Sequence, residues 1–272
     1  MKKALGILLL LSACEFRMDD ETARKNLEPS VKIQFGDLAV GDRNVHYAFV
    51  DRQKEHLLVF VHGSPGSWNA FIDFFKADTL LHEFDMIAID RPGFGGSGFG
   101  AAEPSLEKQA YQMNEVLKGF SGKQIILIGH SLGGPVIARM AMDYPNAYKG
   151  LILVAPSIDP ELEEEGWYRK VISTEVGAFF TPKEFEVSNA EILTLKKELE
   201  EMLPLWKQIK IPTIVIQGTE DALVSKENAA FAKTMIPDSL LYVNLLEDAN
   251  HFIPWSHPEE IVKAIRQLAD RN

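Results

Sequence analysis

The chain has little cysteine, little positive charge and, beyond its first residues, no long apolar run. Its single cysteine, Cys14, excludes an internal disulfide, so the fold has to be held by its core. Lys and Arg total 28 against 39 Asp and Glu, a formal net charge of -11, which speaks against a nucleic-acid partner that would need a basic face to neutralise phosphates. The histidines are scattered, no His/Asp/Glu cluster has the spacing of a metal site, and neither a metal nor another cofactor is expected. Internal repeats and low-complexity blocks are also missing. What is there is 272 residues of which 46% are hydrophobic, enough for one large α/β domain or two small ones.

The one apolar run is at the start, Met1-Lys-Lys-Ala-Leu-Gly-Ile-Leu-Leu-Leu-Leu-Ser-Ala-Cys14. A basic beginning, an apolar stretch and small residues read as an export signal, too short to remain as a spanning helix. Leu11-Ser12-Ala13-Cys14 resembles the bacterial lipobox. The resemblance implies removal of residues 1–13, lipid on the Cys14 sulfur and a protein held in the bacterial cell envelope. Glu15, not Asp, follows the cysteine, which by resemblance to enterobacterial sorting rules favours the periplasmic face of the outer membrane over the inner membrane. Residues 14–30, polar and charged, are expected to form a tether ahead of a domain at 31–272.

Chemistry is concentrated in Gln124-Ile-Ile-Leu-Ile-Gly-His-Ser-Leu-Gly-Gly134, an apolar strand run leading through Gly129-His130-Ser131-Leu132-Gly133 into a helical pattern. This is a nucleophile elbow. A serine at a tight strand-to-helix turn is pushed clear of the backbone, the flanking glycines leave room for the turn, and the new helix offers unpaired N–H groups to an oxyanion. Pro135 falls in the first turn of that helix, where a missing N–H matters least.

Short β-rich runs recur at Val31 to Phe35, Val45 to Val50, Leu57 to Val61, Met86 to Ile89, Ile125 to Ile128, Leu151 to Val154, Ile214 to Ile216 and Leu241 to Val243. The first two alternate as an antiparallel pair would, with Gly36-Asp37 and Gly41-Asp42 as punctuation. Helical patterns after Ser67 and over Ser105 to Leu117, Leu132 to Asp143, Ser225 to Met235 and Pro258 to Leu268 alternate with the later strands, which argues a mostly parallel sheet. This order resembles the α/β-hydrolase fold: eight strands flanked by helices, with a helical cap after the sixth. Residues 158–209 fill the cap slot, and Ser188-Asn-Ala-Glu191 is expected to open a cap helix as a capping box.

A serine nucleophile needs a base, and the base an orienting acid. The family order is Ser, then Asp or Glu, then His. Asp221 follows the strand Ile214 to Ile216 and His251 follows Leu241 to Val243, both on the carboxyl side of the sheet where open α/β sheets place ligands. Glu220 and Asp159 are the rival acids, and His257 the rival base. His-Gly-Ser-Pro at residues 62–65 resembles the family's oxyanion loop, which implies backbone N–H donors at Ser64 and Leu132, with His62 supporting the loop. Asp90-Arg-Pro-Gly93-Phe-Gly95-Gly-Ser-Gly98 contains a literal G-x-G-x-x-G, yet no helix opens at the third glycine, which excludes a dinucleotide fingerprint; by resemblance it is a structural turn.

Epoxide hydrolases and haloalkane dehalogenases share the loop and the cap but use an aspartate where this chain has Ser131. Serine implies an acyl-enzyme, and the resemblance leads to a lipid-anchored hydrolase of small or medium apolar carboxylic esters. Carbon–carbon bond hydrolysis, peptide or lactone hydrolysis and cofactor-free peroxidation use similar triads. A non-catalytic envelope lipoprotein would be expected to break the triad, and every member is present. In the cap, Trp167, Phe179 and Phe180 belong to an apolar stripe expected to face substrate.

Overall fold

The structure, a computed structural model, describes residues 17–28, 30–163 and 181–271. Its strands are β1 (Gln34–Val40), β2 (Arg43–Val50), β3 (His56–Val61), β4 (Phe84–Ile89), β5 (Gln124–His130), β6 (Gly150–Val154), β7 (Thr213–Gly218) and β8 (Leu241–Leu246). They form one sheet in the order β1-β2-β4-β3-β5-β6-β7-β8. β2 pairs antiparallel with β1 and β4, and every other neighbouring pair is parallel.

Alternation within each strand divides the core between the two faces. On β3, Leu57, Val59 and Val61 pack on one side with Met113, Val136 and Met140, whereas Leu58 and Phe60 pack on the other with Phe71, Phe74 and Ile265. Because both faces are covered, the central strands read as continuous apolar runs. The covering helices include α1 (Asp20–Leu27), α2 (Leu106–Leu117), α3 (Gly133–Asp143), α4 (Lys183–Met202), α5 (Glu227–Met235) and α6 (Pro258–Ala269). Helix α2 starts where Ser105 caps it by accepting the Lys108 N–H.

Strand order also locates the site. From β4 the chain crosses over β3 to reach β5, so β3 and β5 are neighbours whose outgoing connections turn to opposite sides. Ligands of open α/β sheets bind at such a switch point, beyond the carboxyl ends of the strands. Register pairs Val61 with Gly129, which carries Gly63 to the level of Ser131 just outside the sheet.

Three segments differ from the sequence-based expectation. β1 begins at Gln34 and runs through Gly36 and Asp37, so only Gly41-Asp42 acts as a turn, with Val40 paired to Arg43 across it. Gly36 is in the strand because the Tyr47 ring lies over it, 2.4 Å from where a Cβ would stand. Helix α4 starts after Pro182, five residues ahead of Ser188, and Ser188 and Glu191 are buried in its interior instead of capping it.

The third difference is at the front of the domain, where residues 20–27 are a docked helix and not a simple tether. Asp19 caps it by accepting the Thr22 N–H at 2.9 Å, and Ala23 and Leu27, one turn apart, are buried in the core that contains Phe60 and Trp68. A two-residue apolar stripe among charges has too little contrast to stand out in the sequence. Leu27→Ala should therefore cost about 3 kcal/mol of stability by urea titration, whereas a solvated tether would show no change.

Candidate active site

At the end of β5 the backbone turns through Ser131 at φ 54, the left-handed region that costs a residue with a Cβ roughly 1–3 kcal/mol. The turn is held by the Ser131 N–H donating to the Val154 carbonyl at 2.9 Å, while the Ser131 carbonyl accepts from Gly134. Two glycines make it sterically feasible. A Cβ on Gly129 would stand 2.5 Å from the Gly133 carbonyl oxygen, and one on Gly133 would stand 2.3 Å from that of Val61. His130 is buried whereas Ser131 remains partly accessible, so the elbow presents the serine outward.

Asp221 follows β7 and His251 follows β8, and their side chains meet at 2.8 Å from His251 Nδ1 to Asp221 Oδ2. The other carboxylate oxygen accepts the N–H groups of Leu223 at 2.9 Å and Val224 at 2.8 Å. Burial pushes the Asp221 carboxyl up, but the His251 hydrogen bond and charge and these two N–H groups outweigh it, leaving it below its ordinary value. An ionised Asp221 fixes the proton of His251 on Nδ1 and leaves Nε2 free to accept one. Among the described residues no hydrogen bond joins Ser131 Oγ to His251; such contacts are commonly long until substrate is bound.

The rival residues are engaged elsewhere. Asp159 caps a short turn by accepting the Glu161 N–H, Glu220 is exposed, and His257 lies against Ser256 at 2.8 Å. His130 donates from Nε2 to the His251 carbonyl at 2.9 Å, which fastens the histidine loop to the elbow. Burial and the neighbouring His251 hold its pKa down to about 3, so it stays neutral. His62 is also buried: its Nδ1 donates to the Gly63 carbonyl at 2.7 Å and its Nε2 accepts the Arg91 N–H at 2.9 Å. Burial first, then the Arg91 charge, holds it well below the ordinary histidine value. With both ring nitrogens on backbone groups, His62 supports the loop.

The loop it supports stands against Ser131, since a Cβ on Gly63 would lie 3.0 Å from Ser131 Cβ. Ser64 and Leu132, the expected oxyanion donors, thus flank Ser131 from β3 and from the start of α3. Neither backbone N–H has an acceptor among the described residues. Behind the loop is a group the sequence did not reveal. Arg91 and Glu191 form a buried ion pair at 2.8 Å, joined by Gln109 and by the Ser64 hydroxyl. In the sequence Arg91 belongs to a turn motif and Glu191 to a capping box, and neither pattern points to the other residue. A surface groove of about 410 Å³, lined by Lys226, Glu227, Lys233 and Glu247 among others, lies beside β8 and includes none of the site's residues. Trp167, Phe179, Phe180 and Cys14 lie outside the described residues.

Residues 56–184 match the family model for the alpha/beta hydrolase fold. Together with the sheet order, this match gives the protein the α/β-hydrolase fold. The chain is similar to lipase 1 of Psychrobacter immobilis, 27% identical over 268 residues that cover 86% of this chain and 80% of the lipase. It is likewise 27% identical to the pimeloyl-[acyl-carrier protein] methyl ester esterase of Wigglesworthia glossinidia brevipalpis, across 77% of this chain and 92% of that one. Among solved structures, a membrane phospholipase A described as a bacterial virulence factor superposes with a TM-score of 0.70 at 17% identity, covering 99% of this chain and 98% of its own, a likeness of fold.

Two buried neutral histidines have a thermodynamic consequence. Their folded-state pKa values lie below the ordinary 6.5, so as pH falls below 6.5 the unfolded chain takes up protons that the native state refuses. Stability from these groups is complete above pH 6.5 and is lost as pH falls, for His130 down to about 3. His130→Asn, which can still donate to the His251 carbonyl, should flatten the decline in unfolding free energy by about 1.4 kcal/mol per pH unit across the acid range. Urea titrations at a series of pH values measure that slope, and an unchanged slope would place the proton uptake elsewhere.

Proposed function

We propose that this protein is a serine hydrolase of small or medium apolar carboxylic esters, with Ser131 as nucleophile, His251 as base and Asp221 as orienting acid. The observation that carries the reading is the 2.8 Å hydrogen bond from His251 to an ionised Asp221, formed beside a serine held at φ 54. The similarity to a lipase and to a methyl ester esterase supports ester chemistry over the other bonds such sites cleave.

In the proposed cycle His251 Nε2 takes the Ser131 proton as Oγ attacks the ester carbonyl, and the carbonyl oxygen gains its charge beside the Ser64 and Leu132 N–H groups. Collapse breaks the bond to the leaving alcohol, which takes the proton from His251, and an acyl-enzyme remains. Water, deprotonated by His251, attacks the acyl carbonyl, and a second tetrahedral intermediate expels Ser131 with the proton returned to Oγ. Ser131→Ala should abolish both ester turnover and fluorophosphonate labelling with little change in thermal midpoint. Asp221→Asn should keep the shape but favour the wrong tautomer, lowering turnover by about ten-thousandfold. Labelling at another serine, or near-normal rates in Asp221→Asn, would refute the assignment.

The same proposal includes the anchor. Lipid on Cys14 would hold the domain in the bacterial envelope, at the periplasmic face of the outer membrane, with apolar esters from that surroundings as substrates and the segment 158–209 selecting among them. No helix among the described residues is long and apolar enough to cross a membrane. Cys14→Ser should move the protein from the membrane to the soluble fraction and end incorporation of labelled palmitate. A wild-type protein that is soluble and unlabelled in its native host would remove the anchor from the proposal.

A further inference from the structure

The Arg91–Glu191 pair is buried to an unusual degree, with side chains 0% and 2% exposed, and it lies directly behind the loop that carries Ser64. Arg91 approaches the Glu191 carboxylate with both terminal nitrogens, Nη1 to Oε1 at 2.8 Å and Nη2 to Oε2 at 3.0 Å, a forked pair of fixed geometry. Gln109 closes the group from α2 by accepting from Arg91 Nη1 and donating to Glu191 Oε1, each at 3.0 Å. Two further bonds reach the loop. Arg91 Nη2 donates to the Gly63 carbonyl at 3.0 Å, and the Ser64 hydroxyl donates to Glu191 Oε2 at 2.7 Å.

The Gly63 carbonyl therefore has two donors, Arg91 Nη2 and His62 Nδ1. Its peptide plane is shared with the Ser64 N–H, and in a trans peptide the carbonyl and the N–H point in opposite directions. The cis bond of this loop is the next one, Ser64–Pro65. Drawing the carbonyl back onto Arg91 and His62 thus turns the Ser64 N–H away from them. Were that peptide to turn over, the site would present an oxygen in place of a donor.

Resting on the serine hydrolase reading, we infer that Arg91 and Glu191 are positioning residues for the oxyanion hole, and that they couple it to helix α4. Arg91 holds the Gly63 carbonyl, and Glu191 holds both Arg91 and the Ser64 side chain. Because Glu191 is supplied by α4, between β6 and β7, the donor is set only while that helix is seated on the loop. Helix α4 and the group that would stabilise the transition state are then one mechanical unit.

The test uses the full-length protein with p-nitrophenyl butyrate, fluorophosphonate labelling of Ser131 and thermal midpoints. Ser64→Ala keeps the backbone N–H and removes only the hydroxyl tether. It should lower kcat several-fold with KM within about twofold. Glu191→Gln, which leaves Arg91 unneutralised, should lower kcat by about a hundredfold, near the loss of one oxyanion donor, and slow phosphonylation in parallel. The pH dependence of kcat/KM should keep its limbs, because the base is untouched. A double replacement, Arg91→Met with Glu191→Leu, removes both charges together and should recover thermal stability without recovering kcat. If stability and kcat return together, or if Ser64→Ala and Glu191→Gln keep wild-type kcat, the pair is only structural and the inference is overturned. A wild-type protein with no ester turnover and no label on Ser131 would instead overturn the hydrolase reading, and this inference with it.

Discussion

Parallel pairing of β3 with β5, with Val61 level with Gly129, brings together two chain segments that share no local sequence relationship. The loop leaving β3 and the turn leaving β5 emerge side by side, and the closeness of Gly63 to the Ser131 side chain, where an added Cβ would stand 3.0 Å from Ser131 Cβ, follows from that register. A one-residue slip would reverse the facing of every β3 side chain between the two cores, so the packing of Val59 and Phe60 on opposite faces fixes the register that the site requires. Core and site are here consequences of one alignment.

Around that alignment the ionisable groups fall into distinct states by their surroundings. The Asp221 side chain is buried yet stays charged because His251 and two backbone N–H groups favour the anion. His62 and His130 are buried without a carboxylate partner and stay neutral, each occupied in fastening one loop to another. Asp90 is an intermediate case: burial raises it, the Gly96 and Trp68 N–H groups that donate to it draw it part of the way back, and the balance stands at about 6. Residues of identical type thus take different roles according to burial and partner, as pKa control by environment requires.

Much of the sheet, and the positions of the candidate site residues on it, are legible in the sequence because the signals are local. Ser131 has an apolar strand before it and a helix after it, and Asp221 and His251 each follow a short β-rich run. Other features depend on contacts that no local pattern records. Arg91 and Glu191 stand 100 residues apart, and Ser188 to Glu191 has the spacing of a cap while burial gives Glu191 another use. Helix α1 was hidden for a related reason: Ala23 and Leu27 become meaningful only against the aromatic core that they cover. The start of β1 departs from its sequence pattern because glycine commonly marks a turn, and only the ring of Tyr47 across the strand shows why Gly36 belongs there.

The docking of α1 also limits distance. Asp19 is already fixed as its cap, five residues after Cys14, and a fully extended chain of that length reaches no more than about 18 Å. Lipid attached at Cys14 would therefore hold the domain on a short leash, grazing the bilayer instead of ranging freely above it. With the leash joined to the core face that contains Trp68, rotation relative to the membrane would be restricted as well as height. An enzyme so tied would draw on a thin layer of its surroundings, and its supply of ester would depend on how that layer is replenished.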